Sequence, residues 1–342
     1  MRTEIGSEFW NVPVTDERNK LFPEETLWFQ SGRSALSYII ADIMHKHNVE
    51  TVGMPSWCCE SMIRPFAVSG LKVCFYDVFV DKMNTFVQRV DSVFDCDVIL
   101  LMDYFGFCKS PDVSGYKGIV IKDITHSIFG TRSKEADYCF GSLRKWCGIK
   151  TGGFAYAKEK WSSNNIIRQV DLHYVELRKN AMVKKADYIS GIHNDKEYLN
   201  IYQQAEQYLE DNSDMCILGA DKTDIELAQK IDVQKVKECR RQNARVLLEE
   251  LKDIVMFSEL DSSDCPLFVP IIVPKRNRTE LRNELIKKEI YCPVHWPLSH
   301  FHQISAVATD VYESEISLVC DQRYGVSDME RLAQEIKNYF GV

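Results

Sequence analysis

The chain has 342 residues, of which 45% are hydrophobic and 27% are charged, and its formal net charge is −8. This size and composition are those of an ordinary globular protein, long enough for one large domain, a smaller one and a substantial buried core. The acidic balance argues against general binding to nucleic acid or to a membrane surface, although a local basic pocket for an anionic ligand stays open.

The start of the chain and its cysteines predict a cytoplasmic protein. Residues 1–8 lack the apolar segment of a signal peptide, and no apolar run is long enough to span a bilayer. The 12 cysteines lie mostly within apolar segments and never in a C-x-x-C pattern, which favours neither a zinc ribbon nor a disulfide framework. We therefore expect a reducing compartment and no metal site.

A helix is predicted to begin near Arg33. Ser31 and Gly32 interrupt the preceding pattern, and the apolar residues between positions 36 and 40 recur at helical spacing. Backbone N–H groups at a helix start, with a glycine that allows close approach, form a ready anion or phosphate site. The alternative is a plain helix cap without a ligand.

Short apolar segments then alternate with helical ones. Helix is predicted at residues 61–69, and strands are predicted at residues 51–55, 72–78, 96–106 and 118–123. Their continuous apolar runs indicate strands buried on both faces, hence a parallel sheet with helices on each side. Because ligands bind beyond the carboxyl ends of such strands, Asp103 and Asp123 become candidate site residues.

The segment from residue 137 to residue 156 places Lys145 on a turn between two strands. An apolar run ends at Ser142, the lysine follows three positions later, and Gly152-Gly153 opens a second apolar run. A lysine on such a turn can point into the cavity at the strand ends. Its neighbours Trp146 and Cys147 are expected to desolvate it in part and so to free its amine as a nucleophile. The alternative is an ordinary surface lysine in a hairpin loop.

The second half of the chain is first helical and then mixed. Residues 158–214 and 221–252 read as charged, helix-rich stretches. Strands are predicted at 267–273, 291–296 and 316–320, and helices at 279–288 and from Ser327, where Ser327 and Glu330 form a capping box. We expect a large domain of residues 1–232, whose N-terminal segment could pack on the small domain, and a small α+β domain of residues 233–342.

A helix start, an acid after one strand and a lysine after the next match the needs of pyridoxal phosphate. The phosphate of this cofactor favours amides and hydroxyls, its ring nitrogen needs a carboxylate to stay protonated, and its aldehyde needs an amine. Gly32, Asp123 and Lys145 supply these groups in that order along the chain. The combination predicts a pyridoxal phosphate site.

These segments resemble the fold-type I pyridoxal-phosphate enzymes and, within them, the DegT/DnrJ/StrS family of sugar-nucleotide aminotransferases. The resemblance runs along nearly the whole chain and is patchy between residues 158 and 214. The matching segments are residues 31–36, 54–70, 76–77, 103–106, 123–126, 142–153 and 293–298, and Arg323. The resemblance implies an α/β fold with a mostly parallel central sheet flanked by helices and a smaller C-terminal α+β domain.

By this resemblance Lys145 binds the cofactor aldehyde, Asp123 pairs with the ring nitrogen, and His126 takes the position of the family's usual glutamine near the phenolic oxygen. The residues expected at the phosphate are Gly32, Arg33, Ser34 and Ser142. The expected ring contact is Trp57 or, by strict register, Cys59, and the expected substrate contacts are His295, Trp296 and Arg323. Two family features are absent, since Phe140 replaces a serine five residues before the lysine and residues 219–222 lack an asparagine.

The resemblance implies an aminotransferase that moves an amino group from an amino acid, such as glutamate, to a keto-sugar. The sugar is expected to be nucleotide-linked, the pathway to be cell-surface polysaccharide or amino-sugar biosynthesis, and the enzyme to be a homodimer with sites at its interface. One alternative is a sugar dehydratase, whose relatives replace the lysine with histidine. The other is a catalytically silent ligand-binding protein of the same fold. Lys145 counts against the first, and the pair of Asp123 and Lys145 counts against the second.

Overall fold

The computed structural model describes residues 4–81, 85–107, 109–130, 136–162, 167–212 and 217–341. The strands are β1 (Ile5–Gly6), β2 (Leu27–Phe29), β3 (Thr51–Pro55), β4 (Lys72–Tyr76), β5 (Val78–Val80), β6 (Phe86–Gln88), β7 (Val98–Met102), β8 (Ile119–Asp123), β9 (Tyr138–Ser142), β10 (Gly153–Ala157), β11 (Phe268–Ile272), β12 (Ile290–Tyr291) and β13 (Glu315–Val319). The helices are α1 (Gly32–Lys46), α2 (Glu60–Val68), α3 (Leu172–Ser190), α4 (Glu197–Asn212), α5 (Lys222–Gln229), α6 (Val233–Glu250), α7 (Lys275–Lys287), α8 (Ala306–Ser314) and α9 (Val326–Phe340).

A mostly parallel sheet forms the centre of the molecule. Its strand order is β2-β10-β9-β8-β7-β3-β4, with parallel pairing from β4 to β9 and antiparallel pairing of β10 with both β9 and β2. All five residues of β7 are buried, as expected for a strand covered by helices on both faces. The predicted α/β class with a mostly parallel sheet is confirmed.

The strand register brings the chemically important positions to one edge of the sheet. Asp123, the last residue of β8, lies beside Phe140 of β9, and Ser142, the last residue of β9, lies beside Gly153 of β10. The turn between β9 and β10 contains Lys145 in a short 3-10 helix over residues 143–145. The ends of two neighbouring strands and the predicted lysine turn therefore meet at one place.

Helix α1 begins at the same edge, and β10 passes very close to the start of this helix. The Ser31 hydroxyl caps the helix by accepting a hydrogen bond from the Ser34 amide at 3.2 Å. A side chain on Gly153 would place its Cβ only 2.0 Å from the carbonyl oxygen of Ser31, and Gly152 has a φ of +140°. The Gly-Gly pair is thus required both by the turn and by the approach of the strand to the helix start.

Two predicted elements near the C-terminus were wrong in detail. The strand expected at residues 291–296 ends at Tyr291, because the next groups bond elsewhere: the Pro293 carbonyl accepts from the Ser317 amide at 2.9 Å, and the His295 amide donates to Glu315 at 2.8 Å. Helix α9 begins after Gly325, whose amide donates to Asp328 at 3.0 Å, so the expected capping box lies inside the helix.

The core runs across the expected domain boundary. One apolar cluster includes buried residues on both sides of residue 232, such as Ile99 and Leu332, and the division into residues 1–232 and 233–342 stays a prediction. The helix pair α3 and α4, within the stretch that resembles the family least, packs together beside the sheet edge that contains Lys145. Within the described ranges, no helix combines the length and the apolar character needed to cross a membrane.

Candidate active site

Lys145 is exposed, although Leu143 and Trp146 on either side of it are buried and Arg144 is half-buried. Leu143 and Trp146 have no accessible surface, and the Trp146 indole Nε1 donates to the carbonyl oxygen of Thr125 at 2.6 Å. The expectation that Trp146 desolvates the lysine was therefore wrong: in the short 3-10 helix the tryptophan turns into the core while the lysine side chain lines a cavity.

Asp123 is a buried carboxylate at the end of β8. Its side chain is 4% exposed, and its Oδ1 accepts a hydrogen bond from the Thr125 amide at 2.7 Å. Burial raises the pKa of Asp123 to about 6, and the charge of Asp103 adds to this effect while the hydrogen bonds from Thr125 oppose it. A buried carboxylate of this kind favours a partner that carries a proton or a positive charge.

Asp103, the other acid at a strand end, forms a buried ion pair with Lys122. Its carboxylate lies 3.0 Å from the Lys122 ammonium and accepts hydrogen bonds from the hydroxyls of Ser110 at 2.6 Å and Ser127 at 2.8 Å. This buried pair holds the segment after β8 in place. Asp123 is therefore the strand-end acid that lines the cavity.

His126 is a buried, neutral imidazole beside Asp123. Burial lowers its pKa well below the ordinary value, and the charges of His295 and Lys145 act in the same direction. The Phe105 amide donates to Nδ1 at 3.2 Å, so the proton of the neutral ring is on Nε2. The ring also stacks on Trp296, with a centroid distance of 5.7 Å. His126 can therefore donate one hydrogen bond to a ligand without adding a charge.

The expected phosphate residues lie where α1 meets the end of β9. A Cβ on Gly32 would lie 3.4 Å from the Ser142 Cβ, so the helix start and the strand end are in contact. Arg33 lines the cavity beside them, and Ser34 is buried in the cap with its hydroxyl 3.3 Å from that of Ser31. Amides, hydroxyls and a guanidinium at a helix N-terminus fit a phosphate group.

These groups line one cavity of about 420 Å³, which we call the helix-start cavity. Eight of the sequence-predicted residues line it: Gly32, Arg33, Cys59, Asp123, His126, Ser142, Lys145 and Trp296. Its size is within the range of small-molecule sites.

Of the two alternatives for the ring contact, Cys59 lies on the wall and Trp57 lies behind it. Trp57 is fully buried, stacks on Tyr104 at a centroid distance of 5.2 Å and donates from Nε1 to the carbonyl oxygen of His295 at 2.8 Å. Cys59 precedes α2, and its sulfur lies 2.9 Å from the hydroxyl of Ser61.

A second cavity of about 490 Å³ meets the first at Lys145, His126 and Trp296. We call it the arginine-lined cavity. Its described wall has more basic than acidic residues: Arg144, Lys145, Arg178, Arg240, Arg282 and Arg323 against Glu8, Glu206 and Asp321. This positive lining contrasts with the net charge of −8 of the whole chain and suits an anionic ligand.

Two of the expected substrate residues, His295 and Arg323, line the arginine-lined cavity, and Trp296 lines both. The Arg323 guanidinium is already well bonded: it donates to both carboxylate oxygens of Asp321, at 2.9 and 2.8 Å, and to the carbonyl oxygens of Glu8 and Ser7, at 3.0 and 3.2 Å. It therefore holds the N-terminal segment against the cavity.

Sequence reasoning missed the part of the wall that α3 and α4 supply. Glu206 of α4 accepts two hydrogen bonds from Arg144, at 2.7 and 2.8 Å, and one from Arg178 at 3.2 Å. Although burial opposes it, these two guanidinium groups lower the pKa of Glu206 to about 2. Arg144, the residue before Lys145, is thus fixed by a helix that is distant in sequence. The only sign of this contact in the sequence was the arginine itself, next to the predicted lysine.

No protein-family model matches the chain, and no curated protein matches it. Solved structures do. A DegT DnrJ EryC1 StrS aminotransferase from Brucella abortus is 16% identical, with a TM-score of 0.63 over 93% of this chain and 87% of that one. PseC of Helicobacter pylori, an aminotransferase involved in the biosynthesis of pseudoaminic acid, is 14% identical, with a TM-score of 0.64 over 98% and 100%.

NtdA from Bacillus subtilis, solved with bound cofactor PMP, is 14% identical, with a TM-score of 0.63 over 94% of this chain and 74% of that one. At these identities the agreement concerns the fold, and it extends along nearly the whole chain. The predicted fold class is confirmed, and the chain has the fold of the DegT/DnrJ/EryC1/StrS aminotransferases.

Proposed function

We propose that the protein is a pyridoxal-phosphate-dependent aminotransferase. The observation that carries the proposal is that Lys145, Asp123 and the contact between Gly32 and Ser142 line one cavity. An amine, a buried carboxylate and a helix start with a hydroxyl are the three groups that this cofactor needs, and here they come from three separate elements of the sheet edge.

The residues present fit the cofactor. The α1 start with Arg33 and Ser142 would hold the phosphate. The carboxylate of Asp123 would face the ring nitrogen, Cys59 would lie beside the ring, and the Nε2 proton of His126 would serve the phenolic oxygen. When bound, pyridoxal phosphate supplies an aldehyde that takes up an amino group and a ring that accepts electrons from the reacting carbon.

Each side chain then has a defined task. Asp123 would keep the ring nitrogen protonated, because burial makes a proton or cation beside its carboxylate favourable. Lys145 would hold the cofactor through Nζ, and its free amine would act as the general base for the proton at the donor Cα. Trp296, stacked on His126, helps to exclude water from the point where the two cavities meet.

The acceptor that we propose is a keto-sugar linked to a nucleotide, with glutamate as amino donor. The arginine-lined cavity supports an anionic substrate, and one protein of similar fold is described as acting in the biosynthesis of pseudoaminic acid. With this substrate class we also propose a role in amino-sugar or cell-surface polysaccharide biosynthesis in the cytoplasm, carried out by a homodimer.

The test begins with the lysine. Protein purified with pyridoxal phosphate should be yellow, and borohydride should attach the cofactor to Lys145, as peptide mass mapping would show. Lys150, in the same turn, is the matched control: its ammonium lies 2.7 Å from Asp224 and is held there. Lys145→Ala should abolish the attachment and Lys150→Ala should keep it. An adduct on Lys150 would overturn the assignment, and a failure to bind the cofactor at all would favour a ligand-binding protein of the same fold.

A substrate screen completes the test. Glutamate should convert the aldehyde form of the cofactor to the amine form, and a 3-keto or 4-keto nucleotide sugar should reverse this conversion. If no nucleotide sugar reverses it while an unlinked keto-sugar or a keto acid does, the aminotransferase chemistry stands and the nucleotide-linked acceptor is wrong.

A further inference from the structure

Trp146, the residue after Lys145, is held on three sides. Its indole Nε1 donates to the carbonyl oxygen of Thr125 at 2.6 Å, and the guanidinium carbon of Arg240 lies 4.4 Å from the centre of its ring. Its backbone carbonyl oxygen accepts a hydrogen bond from the side-chain Nε2 of Gln322 at 2.7 Å. The backbone next to Lys145 is therefore fixed by contacts from three other parts of the chain.

Gln322 uses both ends of its amide. Its Oε1 accepts a hydrogen bond from the Nε of Arg240 at 2.8 Å, while its Nε2 donates to Trp146. Because a guanidinium only donates and a carbonyl oxygen only accepts, these two partners fix the orientation of the amide. A carboxylate at this position would give the buried Arg240 an opposite charge, but it could not donate to Trp146. Of glutamine and the nearly isosteric glutamate, only glutamine makes both bonds.

The turn that contains Gln322 is itself fixed. It follows β13, and within it the Tyr324 amide donates to the carbonyl oxygen of Asp321 at 3.2 Å. The side-chain amide of Asn243, on α6, donates to the carbonyl oxygens of Asp321 at 3.1 Å and Tyr324 at 3.0 Å, on either side of Gln322. A glutamine on a turn held in this way can keep the backbone that it bonds in one place.

The indole contact of Trp146 leads to Asp123. Thr125 accepts the indole hydrogen bond through its carbonyl oxygen, and its amide donates to the Asp123 Oδ1 at 2.7 Å. Trp146 therefore relates the position of the lysine turn to that of the buried carboxylate. A shift of its backbone would change the distance between the Lys145 amine and a ligand held beside Asp123.

We propose that Gln322 is a positioning residue, whose bond to the Trp146 carbonyl sets the Lys145 amine against the cofactor aldehyde. This inference rests on the proposed function, because it takes Lys145 as the residue that bonds the aldehyde. The described walls of the two cavities do not include Gln322. Its effect on a ligand therefore passes through the residues that it bonds, Trp146 and Arg240, and the experiment separates these two routes.

The experiment compares two forms of the cofactor by binding, without turnover. Pyridoxal phosphate can condense with the Lys145 amine and release one water, whereas pyridoxine phosphate has an alcohol in place of the aldehyde and binds only through its other groups. Equilibrium titration of each protein gives the ratio of the two dissociation constants, which we call the aldehyde preference. Effects on the phosphate and ring contacts are common to both ligands and cancel in this ratio.

Three variants are compared with the wild type. Gln322→Glu keeps an acceptor for Arg240 and loses the donor to Trp146, and Gln322→Met has nearly the same shape and makes neither bond. Gln334→Glu is the matched control, because it makes the same amide-to-carboxylate change at an exposed position of α9. Urea denaturation measures the stability of each cofactor-free protein.

Wild-type protein should prefer the aldehyde, and Gln322→Glu should lower that preference by roughly 5- to 10-fold, about the worth of one hydrogen bond. Gln322→Glu should be as stable as the wild type, because its carboxylate pairs with Arg240. Gln322→Met should lose both stability and aldehyde preference, and Gln334→Glu should keep both.

An unchanged aldehyde preference in Gln322→Glu would overturn the inference, and Gln322→Met applies the same test if the glutamate variant does not fold. A preference that fell in Gln322→Met and not in Gln322→Glu would also overturn it, because the effect would then come from Arg240. Both results leave Lys145 in its assigned role. A wild-type protein without any preference, or a Lys145→Ala protein that keeps it, would instead remove the proposed function and this inference with it.

Discussion

Replacing Asp123 with asparagine should stabilise the cofactor-free protein and slow the conversion of the bound cofactor by glutamate. The side chain is 4% exposed, and burial raises its pKa from 3.8 to about 6. Asparagine has nearly the same shape, and its Oδ1 can still accept the hydrogen bond that the Thr125 amide donates at 2.7 Å. The variant has no charge to bury, so it avoids the desolvation that the carboxylate suffers.

The raised pKa gives the sign and the size of the effect. The folded protein prefers protonated Asp123, so the stability linked to that proton is fully present below pH 3.8 and is lost as the pH rises through about 6. A shift of roughly two units corresponds to about 3 kcal/mol. The asparagine variant should therefore exceed the wild type in unfolding free energy by up to about 3 kcal/mol at alkaline pH, and the difference should shrink as the solution is acidified.

The cofactor should reverse this order. Asp123 would then pair with a protonated ring nitrogen, so pyridoxal phosphate should stabilise the wild type more than the variant. Because an amide cannot keep that nitrogen protonated, conversion of the cofactor by glutamate should slow by at least ~100-fold, as for loss of a positioned catalytic group.

Urea denaturation of the cofactor-free proteins at several pH values measures the first effect, and stopped-flow absorbance of the loaded proteins measures the second. Asp103→Asn is the matched control: it breaks the buried pair with Lys122 and should destabilise the protein at neutral pH. If Asp123→Asn proved less stable than the wild type at pH 8, or turned over normally with full cofactor occupancy, Asp123 would be a structural residue.

Two further substitutions probe the walls of the site. Gly153→Ala should cost on the order of 1–3 kcal/mol and weaken cofactor binding, because its Cβ would lie 2.0 Å from the carbonyl oxygen of Ser31. Gly325→Ala is the control, since its Cβ meets open space. Equal unfolding free energies and cofactor affinities for the two variants would contradict the prediction. Glu206→Gln should lower stability by roughly 1 kcal/mol, since it weakens the bonds to Arg144, and an unchanged unfolding free energy would show that water replaces them fully.

The fold could be predicted because its signals are local. The strand β3 spans the predicted residues 51–55, and helix α1 begins at Gly32, one residue before the expected start. The strands and the helix start depend on apolar runs and on a serine cap that are close together in sequence, so the sequence predicts them well. The same holds for Asp123, which ends its strand as the sequence predicted.

The surroundings of the lysine could not be predicted in the same way. Whether Trp146 covers Lys145 depends on the direction of each side chain in a 3-10 helix of three residues. The partner of Arg144 is a glutamate on α4, and Arg240 comes from α6. Side chains of charged, amphipathic helices give no local sign of which ones turn towards a distant cavity, so only the packed structure identifies them.

Asp123 and Arg240 are two buried charged residues that line different cavities. The first is a buried carboxylate whose raised pKa reflects the cost of its charge, and the second is a buried guanidinium with one nitrogen left unbonded. Opposite charges this costly would gain by pairing with each other, yet they line different cavities that meet at Lys145. A protonated ring nitrogen in the helix-start cavity would satisfy Asp123, and an anionic group would suit the basic wall of the cavity that contains Arg240. Ligand binding would then offset the free-energy cost of keeping the two buried charges apart, and it would orient the ligand at the lysine amine.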